Sequence, residues 1–159
     1  MGHSISAIIS FDDVDETTAT ALGVPVYHES GVSIVGLNPH HSDYLAEKLN
    51  LPHVSYSSLI LDNEVTQEIA ARIGVSKFAL VETEYFGGIG HQAAAVYSNR
   101  VQTHLFDDQV VSPARSKSNI SKALAIIGVA QNNAFDEFDA INLGKYRTFE
   151  DDFSDFYED

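Results

Sequence analysis

FALVETEYFGGIGHQAAAVYSNRVQTHLF, the stretch from Phe78 to Phe106, predicts three successive strands joined by tight turns. Aromatic and β-branched residues dominate the first segment, Phe78–Phe86. The second apolar segment is His91–Tyr97, and the third, Val101–Phe106, alternates between two faces. Ser98-Asn99-Arg100 separates the last two segments and reads as a turn, because Asn tolerates left-handed backbone angles.

The glycines Gly87, Gly88 and Gly90 predict a structural turn between the first two strands, because glycine offers no side chain to pack in a strand. Glycine-rich loops also bind phosphate, but such a loop needs a helix to begin directly after it. A strand follows here, and no Gly-Lys-Ser/Thr sequence is present.

Both of the first two strands carry apolar residues on both faces near their middles, at Phe78–Val81 and Ala93–Val96. A strand covered on both sides is usually central in its sheet. The run Ala93-Ala94-Ala95 leaves space for another backbone, and a helix is the expected neighbour.

The rest of the chain predicts an α+β fold with a largely antiparallel central sheet and three to four helices packed on it. Adjacent strands are mostly joined by tight turns, which favours this class over a doubly wound sheet. Residues 1–149 are expected to form a single domain and residues 150–159 an acidic, aromatic tail. The other predicted strands are Ile5–Phe11, with one face on the core, Val24–His28 and Val32–Leu37. The predicted helices are Thr17–Leu22, Ser42–Asn50 with Ser42 as its N-cap, a helix through Val65, Ile69 and Ile73 that is capped by Asp62 or Asn63, and Ile120–Ile127.

The charge balance is the strongest global signal in the 159 residues. Asp and Glu number 23 against 9 Lys and Arg, which gives a formal net charge of −14. That charge repels nucleic acid and anionic membranes and attracts basic partners, although solubility alone also explains it. Without cysteine, a bilayer-length apolar run or a basic leader, the chain is expected in the cytoplasm, as a monomer or weak homodimer.

Catalytic and metal-binding patterns are sparse. Glu82 and Glu84 share one strand face roughly 7 Å apart, so they suit acid/base work or contact with a partner. No nucleophile elbow accompanies them, and the seven histidines show no metal-ligand spacing. We therefore expect no enzyme activity, no cofactor and no metal site.

The acidic residues near the glycine turn and in the tail are the predicted contact sites for a basic partner. Carboxylates spaced along a backbone imitate phosphates, and neighbouring aromatic rings can take the place of bases or act as anchors. The other interpretation of the tail is a solvated, frayed terminus. The predicted contact residues are Glu82, Glu84, Tyr85, Phe86, Asp107 and Asp108, together with Asp151, Asp152, Asp155, Glu158 and Asp159.

The run Tyr85–Tyr97, YFGGIGHQAAAVY, resembles a motif of bacterial immunity proteins that neutralise toxins of contact-dependent inhibition and related polymorphic toxin systems. The resemblance implies a small cytosolic protein that binds one cognate toxin and occludes its active site. It implies no catalytic residues.

Many such toxins are nucleases, whose clefts must be basic to hold a phosphate backbone. An inhibitor of opposite charge gains fast encounter by electrostatic steering. Two alternatives remain open: a small-ligand-binding protein or enzyme that uses Glu82, Glu84 and a nearby His, and an adaptor whose acidic tail recruits a basic partner.

Overall fold

Six strands form one antiparallel sheet in the described part of the chain, and four helices accompany it. The computed structural model describes residues 3–52, 54–57, 59, 61–86, 89–111 and 119–129; at residues 3–4, 84–86, 89–90, 107–111, 119 and 121 only the backbone is described. The elements in chain order are β1 (His3–Ser10), α1 (Glu16–Leu22), β2 (Val26–Glu29), β3 (Val32–Leu37), α2 (Pro39–Leu49), α3 (Glu64–Arg72), β4 (Lys77–Phe86), β5 (Ile89–Ser98), β6 (Val101–Val111) and α4 (Asn119–Ile127).

The strand order across the sheet is β2-β3-β1-β4-β5-β6, and every neighbouring pair is antiparallel. The predicted α+β class and the antiparallel sheet are therefore confirmed. β4 lies inside the sheet, as its two apolar faces predict, and β6 is an edge among the described strands.

The two faces of the sheet carry different helices. The α3 face contains Phe78 and Leu80, and Phe78 lines a cleft together with residues of α3. The α4 face contains Ala79 and Val81, which the strand pleat points the opposite way. On this face α4 packs against β4, β5 and β6, while α1 and α2 contact α3.

The alanine run accommodates α4, as the small side chains predict. Ala94 lies on the α4 face because it pairs with Val81, and it is fully buried. The backbone N–H of Ile120 in α4 donates to the side-chain oxygen of Gln92 in β5 at 3.4 Å. Ala93 and Ala95 point to the opposite face and are buried as well.

The prediction of a single buried face for β1 is wrong. Ile5, Ala7 and Ile9 are buried on one face, and Ile8 and Ser10 are buried on the other. The serines in the pattern suggest a solvent-exposed face. Ser10 is buried instead, because its hydroxyl donates a hydrogen bond to the Lys77 carbonyl at 2.6 Å. A polar residue in a buried strand is tolerated when a backbone group pairs with it.

One residue of the predicted glycine turn, Gly90, is part of a strand instead. Gly90 belongs to β5, where it pairs with Tyr85, and the hairpin closes at the pair Phe86 and Ile89. Only residues 87 and 88 remain between the paired strands, and they lie outside the described residues. The predicted contact residues Asp107 and Asp108 also lie in a strand, β6, which keeps pairing with β5 up to Val111.

β6 contains two β-bulges. Asp107 and Asp108 together lie opposite the single residue Ala93, and Thr103 is the extra residue between the pairs Val96–His104 and Tyr97–Gln102. The second bulge breaks the predicted alternation. Gln102 therefore reaches Tyr97 on the α3 face, whereas His104 pairs with Val96 of the α4 face.

Helix α2 begins earlier than predicted. Asn38 is its N-cap, with its side-chain oxygen accepting from the backbone N–H groups of His40 and His41 at 2.8 and 3.2 Å. Pro39 at the first helical position suits this start, because its missing N–H would lack a helical partner there anyway. Ser42 is consequently a buried residue inside the helix. For α3, the predicted cap Asn63 is confirmed.

Among the described residues, no helix has the length and apolar character required to cross a membrane.

Candidate functional site

The sheet register brings the predicted residues of β4 and β6 to the same end of three adjacent strands. Glu82 pairs with Ala93, which lies opposite the bulge at Asp107 and Asp108. Two residues further along, Glu84 pairs with His91. The register thus groups carboxyl-bearing positions of β4 and β6 across a width of about two strand spacings, roughly 10 Å.

Tyr85 and Phe86 complete this end of the sheet. Tyr85 pairs with His3 of β1 and with Gly90, and Phe86 closes the hairpin opposite Ile89. We call Glu84, Tyr85, Phe86, Asp107 and Asp108 the acidic sheet end. The five predicted tail residues, Asp151, Asp152, Asp155, Glu158 and Asp159, lie outside the described residues, as do Gly87 and Gly88.

Glu82 has a structural task that the sequence did not indicate. Its side chain is half-buried, and its Oε2 accepts the backbone N–H of Leu61 at 2.8 Å. This bond ties the segment before α3 to the α3 face of the sheet. Glu82 is therefore committed inside the fold, and we keep it apart from the acidic sheet end.

A buried carboxylate, Asp62, organises the polar residues beside it. The hydroxyl of Tyr97 donates to Asp62 Oδ1, and the hydroxyl of Ser57 donates to Oδ2 at 2.6 Å. Gln102 Nε2 donates to Asp62 Oδ2 at 3.3 Å and to the Tyr97 hydroxyl at 3.0 Å. Burial, followed by the hydrogen bond to Asp62, raises the pKa of Tyr97 above its ordinary value. Asp62 is fully buried, so this network stabilises the fold and is not open to a substrate.

A second, exposed group of charges surrounds the start of α3. The hydroxyl of Tyr56 donates to Glu64 Oε1 at 2.5 Å, which raises the pKa of Tyr56 to about 12. Arg100, in the turn between β5 and β6, places Nη2 3.5 Å from both Glu64 and Glu68. Glu68 also pairs with Arg72 at 2.9 Å.

A cleft of about 420 Å³ opens between α3, the loop that follows it and the turn of β5 and β6. Gln67, on the inward side of α3, is buried, and its amide nitrogen and oxygen both lack a hydrogen-bond partner within the described part of the chain. The sequence gives no signal for this cleft, because its walls are far apart along the chain. The lining residues are Gln67, Ala70, Ala71, Gly74, Val75, Ser76, Phe78, Asn99 and Arg100.

Histidine and carboxylate side chains in the described part of the chain form no group that could hold a metal ion. His41 is buried, with its Nε2 2.7 Å from the Leu22 carbonyl oxygen, and burial lowers its pKa. His28 lies 3.4 Å from the Glu16 carboxylate, and His104 stacks on Phe106.

Searches against protein-family models, curated proteins and solved structures find no match to this chain.

Proposed function

We propose that this chain is an immunity protein, a non-enzymatic cytoplasmic inhibitor that binds a cognate bacterial toxin and occludes its active-site cleft. The observation that carries the proposal is the grouping of Glu84, Asp107 and Asp108 at one end of a continuous sheet, in a chain whose formal net charge is −14. A basic nuclease domain is the partner that such a surface fits, since a nuclease cleft must attract phosphates.

The acidic sheet end supplies the two ingredients of a strong interface. Carboxylates on a rigid scaffold attract a basic cleft before contact and so speed encounter. The neighbouring Tyr85 and Phe86 belong to the aromatic residues that often anchor interfaces. Because Tyr85 and Phe86 lie on paired strands, their backbone loses little conformational entropy on binding.

The first test compares two triple charge reversals that change the net charge equally. One replaces Glu84, Asp107 and Asp108 with Lys. The control replaces Asp13, Glu16 and Glu47, exposed residues of the β1–α1 loop and of α1 and α2, with Lys. Immobilised wild type and variants are incubated at 50 mM and 500 mM NaCl with lysate of the source bacterium, and any retained toxin domain is identified by mass spectrometry and assayed for nuclease activity.

We expect wild type to retain and inhibit a basic toxin domain, more rapidly at low salt. The sheet-end variant should weaken inhibition by at least tenfold, while the control changes the association rate modestly. Retention of no toxin, or full inhibition by a variant that reverses both the sheet-end and the tail acids, would contradict the proposal.

Deletion of residues 150–159 tests the adaptor alternative. An adaptor that recruits its partner through the tail loses that partner completely. An inhibitor that binds through the acidic sheet end keeps most of its affinity. The same lysate capture and nuclease assay distinguish these two results.

One observation favours the small-ligand or enzyme alternative, because His91 lies directly opposite Glu84 in the register. Glu82, the other carboxylate of the small-ligand or enzyme alternative, already accepts a hydrogen bond from the backbone N–H of Leu61. If this pair served catalysis, Glu84→Gln and His91→Gln would each abolish turnover, whereas toxin inhibition would tolerate His91→Gln.

A further inference from the structure

We propose that the cleft beside α3 is a binding site for a small, neutral, planar molecule that carries an amide or lactam group. The site is separate from the acidic sheet end and does not depend on the toxin-binding proposal. Its volume, about 420 Å³, lies within the range of small-molecule sites in proteins.

The buried amide of Gln67 is the first observation behind this proposal. Neither its nitrogen nor its oxygen has a partner among the residues that the structure describes, although Gln67 is only 4% exposed. An unpaired buried polar atom is costly, and native proteins rarely keep two on one side chain without a reason. A ligand that enters the cleft can supply both missing hydrogen bonds.

The chemistry of the carboxamide defines the ligand class. Gln67 offers an N–H donor and a C=O acceptor in one plane. An amide or lactam offers the complementary pair in the same plane, so two parallel hydrogen bonds form. Neither atom is open to solvent, so binding includes a rotation of the Gln67 side chain towards the cleft.

The charges at the mouth of the cleft favour a neutral ligand. Arg100 lies between Glu64 and Glu68, and Glu68 also pairs with Arg72. Arg100 is thus neutralised by neighbouring acids, and the described residues give the rim no excess charge to offer an ion. The net charge of −14 adds a field that repels anions.

The remaining walls suit a flat molecule. Ala70, Val75 and Phe78 provide apolar surface, and Phe78 is itself held by stacking on Tyr97 at 5.4 Å between ring centroids. Asn99 and Arg100 shape the opposite rim in left-handed backbone conformations, at φ 51° and 68°. The Asn99 N–H donates to the Ser76 carbonyl at 2.8 Å, which connects this rim to the loop after α3.

The test uses nuclear magnetic resonance titrations of the full chain with benzamide and 2-pyridone. Acetophenone is the matched control probe, because it has the shape and carbonyl of benzamide but no N–H donor. Gln67→Met removes both polar atoms at nearly constant length. Gln102→Met makes the same change at a glutamine outside the cleft, whose amide is already hydrogen-bonded to Asp62 and Tyr97.

We expect saturable shifts at Ala70, Val75, Asn99 and the Gln67 side-chain amide with both amide probes. Acetophenone should bind at least tenfold more weakly, and Gln67→Met should reduce benzamide affinity to that of acetophenone, while Gln102→Met leaves it unchanged. The absence of saturable shifts with both probes, equal binding of acetophenone, or unchanged binding to Gln67→Met would each overturn the proposal. Backbone spectra of the variants verify that they fold, and toxin inhibition by Gln67→Met should equal wild type.

Discussion

At the scale of single residues, the carboxylate of Asp62 joins the segment before α3 to the end of β5. It is fully buried and accepts hydrogen bonds from Tyr97, Ser57 and Gln102. A buried charge remains tolerable only while such donors surround it. The fold therefore depends on these hydroxyl and amide donors more than their small size suggests.

Removal of one donor tests this dependence. We expect Tyr97→Phe to lower the free energy of unfolding by about 1–3 kcal/mol, because Asp62 loses a buried hydrogen bond. Tyr56→Phe is the matched control, since Tyr56 is exposed and its loss should cost under about 0.5 kcal/mol. Urea unfolding measures both, and equal losses would show that the Asp62 network carries no special weight.

His41 makes stability depend on pH. Its folded-state pKa is lowered, chiefly by burial, so the unfolded chain takes up a proton more readily. The contribution of His41 to the free energy of unfolding is therefore fully retained above about pH 6.5, the ordinary pKa of histidine, and is lost as the pH drops below it. Urea unfolding at pH 7 and pH 5 should show a smaller loss for His41→Gln, which keeps a donor towards Leu22, than for wild type. An unchanged loss of stability between pH 7 and pH 5 in His41→Gln would contradict this role.

Neither residue role could be predicted from the sequence. Asp62 could be considered only as a helix cap, because its partner Tyr97 lies 35 residues away. His41 meets the Leu22 carbonyl 19 residues earlier in the chain. Local patterns contain no information about such contacts.

At the scale of elements, the contact between α4 and β5 depends on small side chains. Ala94 is fully buried on the α4 face. We expect Ala94→Leu to lower the free energy of unfolding by about 1–3 kcal/mol, because the added volume pushes α4 away from the sheet. Ala125→Leu, on the exposed side of α4, should change stability by under about 0.5 kcal/mol. Thermal or urea unfolding compares the two, and equal stabilities would mean that the packing adjusts freely.

The sequence predicts an element correctly where a strong apolar periodicity coincides with clear cap or turn residues at its ends. α3 has apolar residues four apart and a capping Asn63, and the hairpin of β2 and β3 turns at Ser30 and Gly31. It fails where two signals compete. The sequence pattern predicts Ser42 as the cap of α2, but Asn38 followed by Pro39 is the stronger start signal and is the one the helix uses.

At the scale of the whole molecule, the negative charge opposes the compact state. Like charges repel more strongly when folding brings them together, and salt screens them over about 10 Å at 0.1 M compared with 30 Å at 0.01 M. With a net charge of −14, the free energy of unfolding should rise by on the order of 1 kcal/mol between these salt concentrations. Urea unfolding in 0.01 and 0.1 M NaCl measures the change, and a fall with added salt would indicate that ion pairs such as Arg72–Glu68 dominate instead.

The sheet order marks the limit of what the sequence predicts at this scale. The sequence predicts three consecutive strands as neighbours, and β4 to β6 are arranged in this way. It does not predict the placement of β1 between β3 and β4, because strands far apart in the chain pair by shape and burial. The grouping of Glu84 with Asp107 and Asp108 follows from that register and from the bulge in β6, which no local pattern indicated.

The bulges in β6 carry a further consequence for behaviour in a crowded cell. A straight strand at the border of a sheet offers a regular row of hydrogen-bonding groups on which another chain can grow. Each inserted residue interrupts that row, at Thr103 and again at Asp107 and Asp108, so β6, an edge among the described strands, offers other copies of the protein a poorer template. Irregular pairing at this margin therefore disfavours growth of the sheet from one copy to the next.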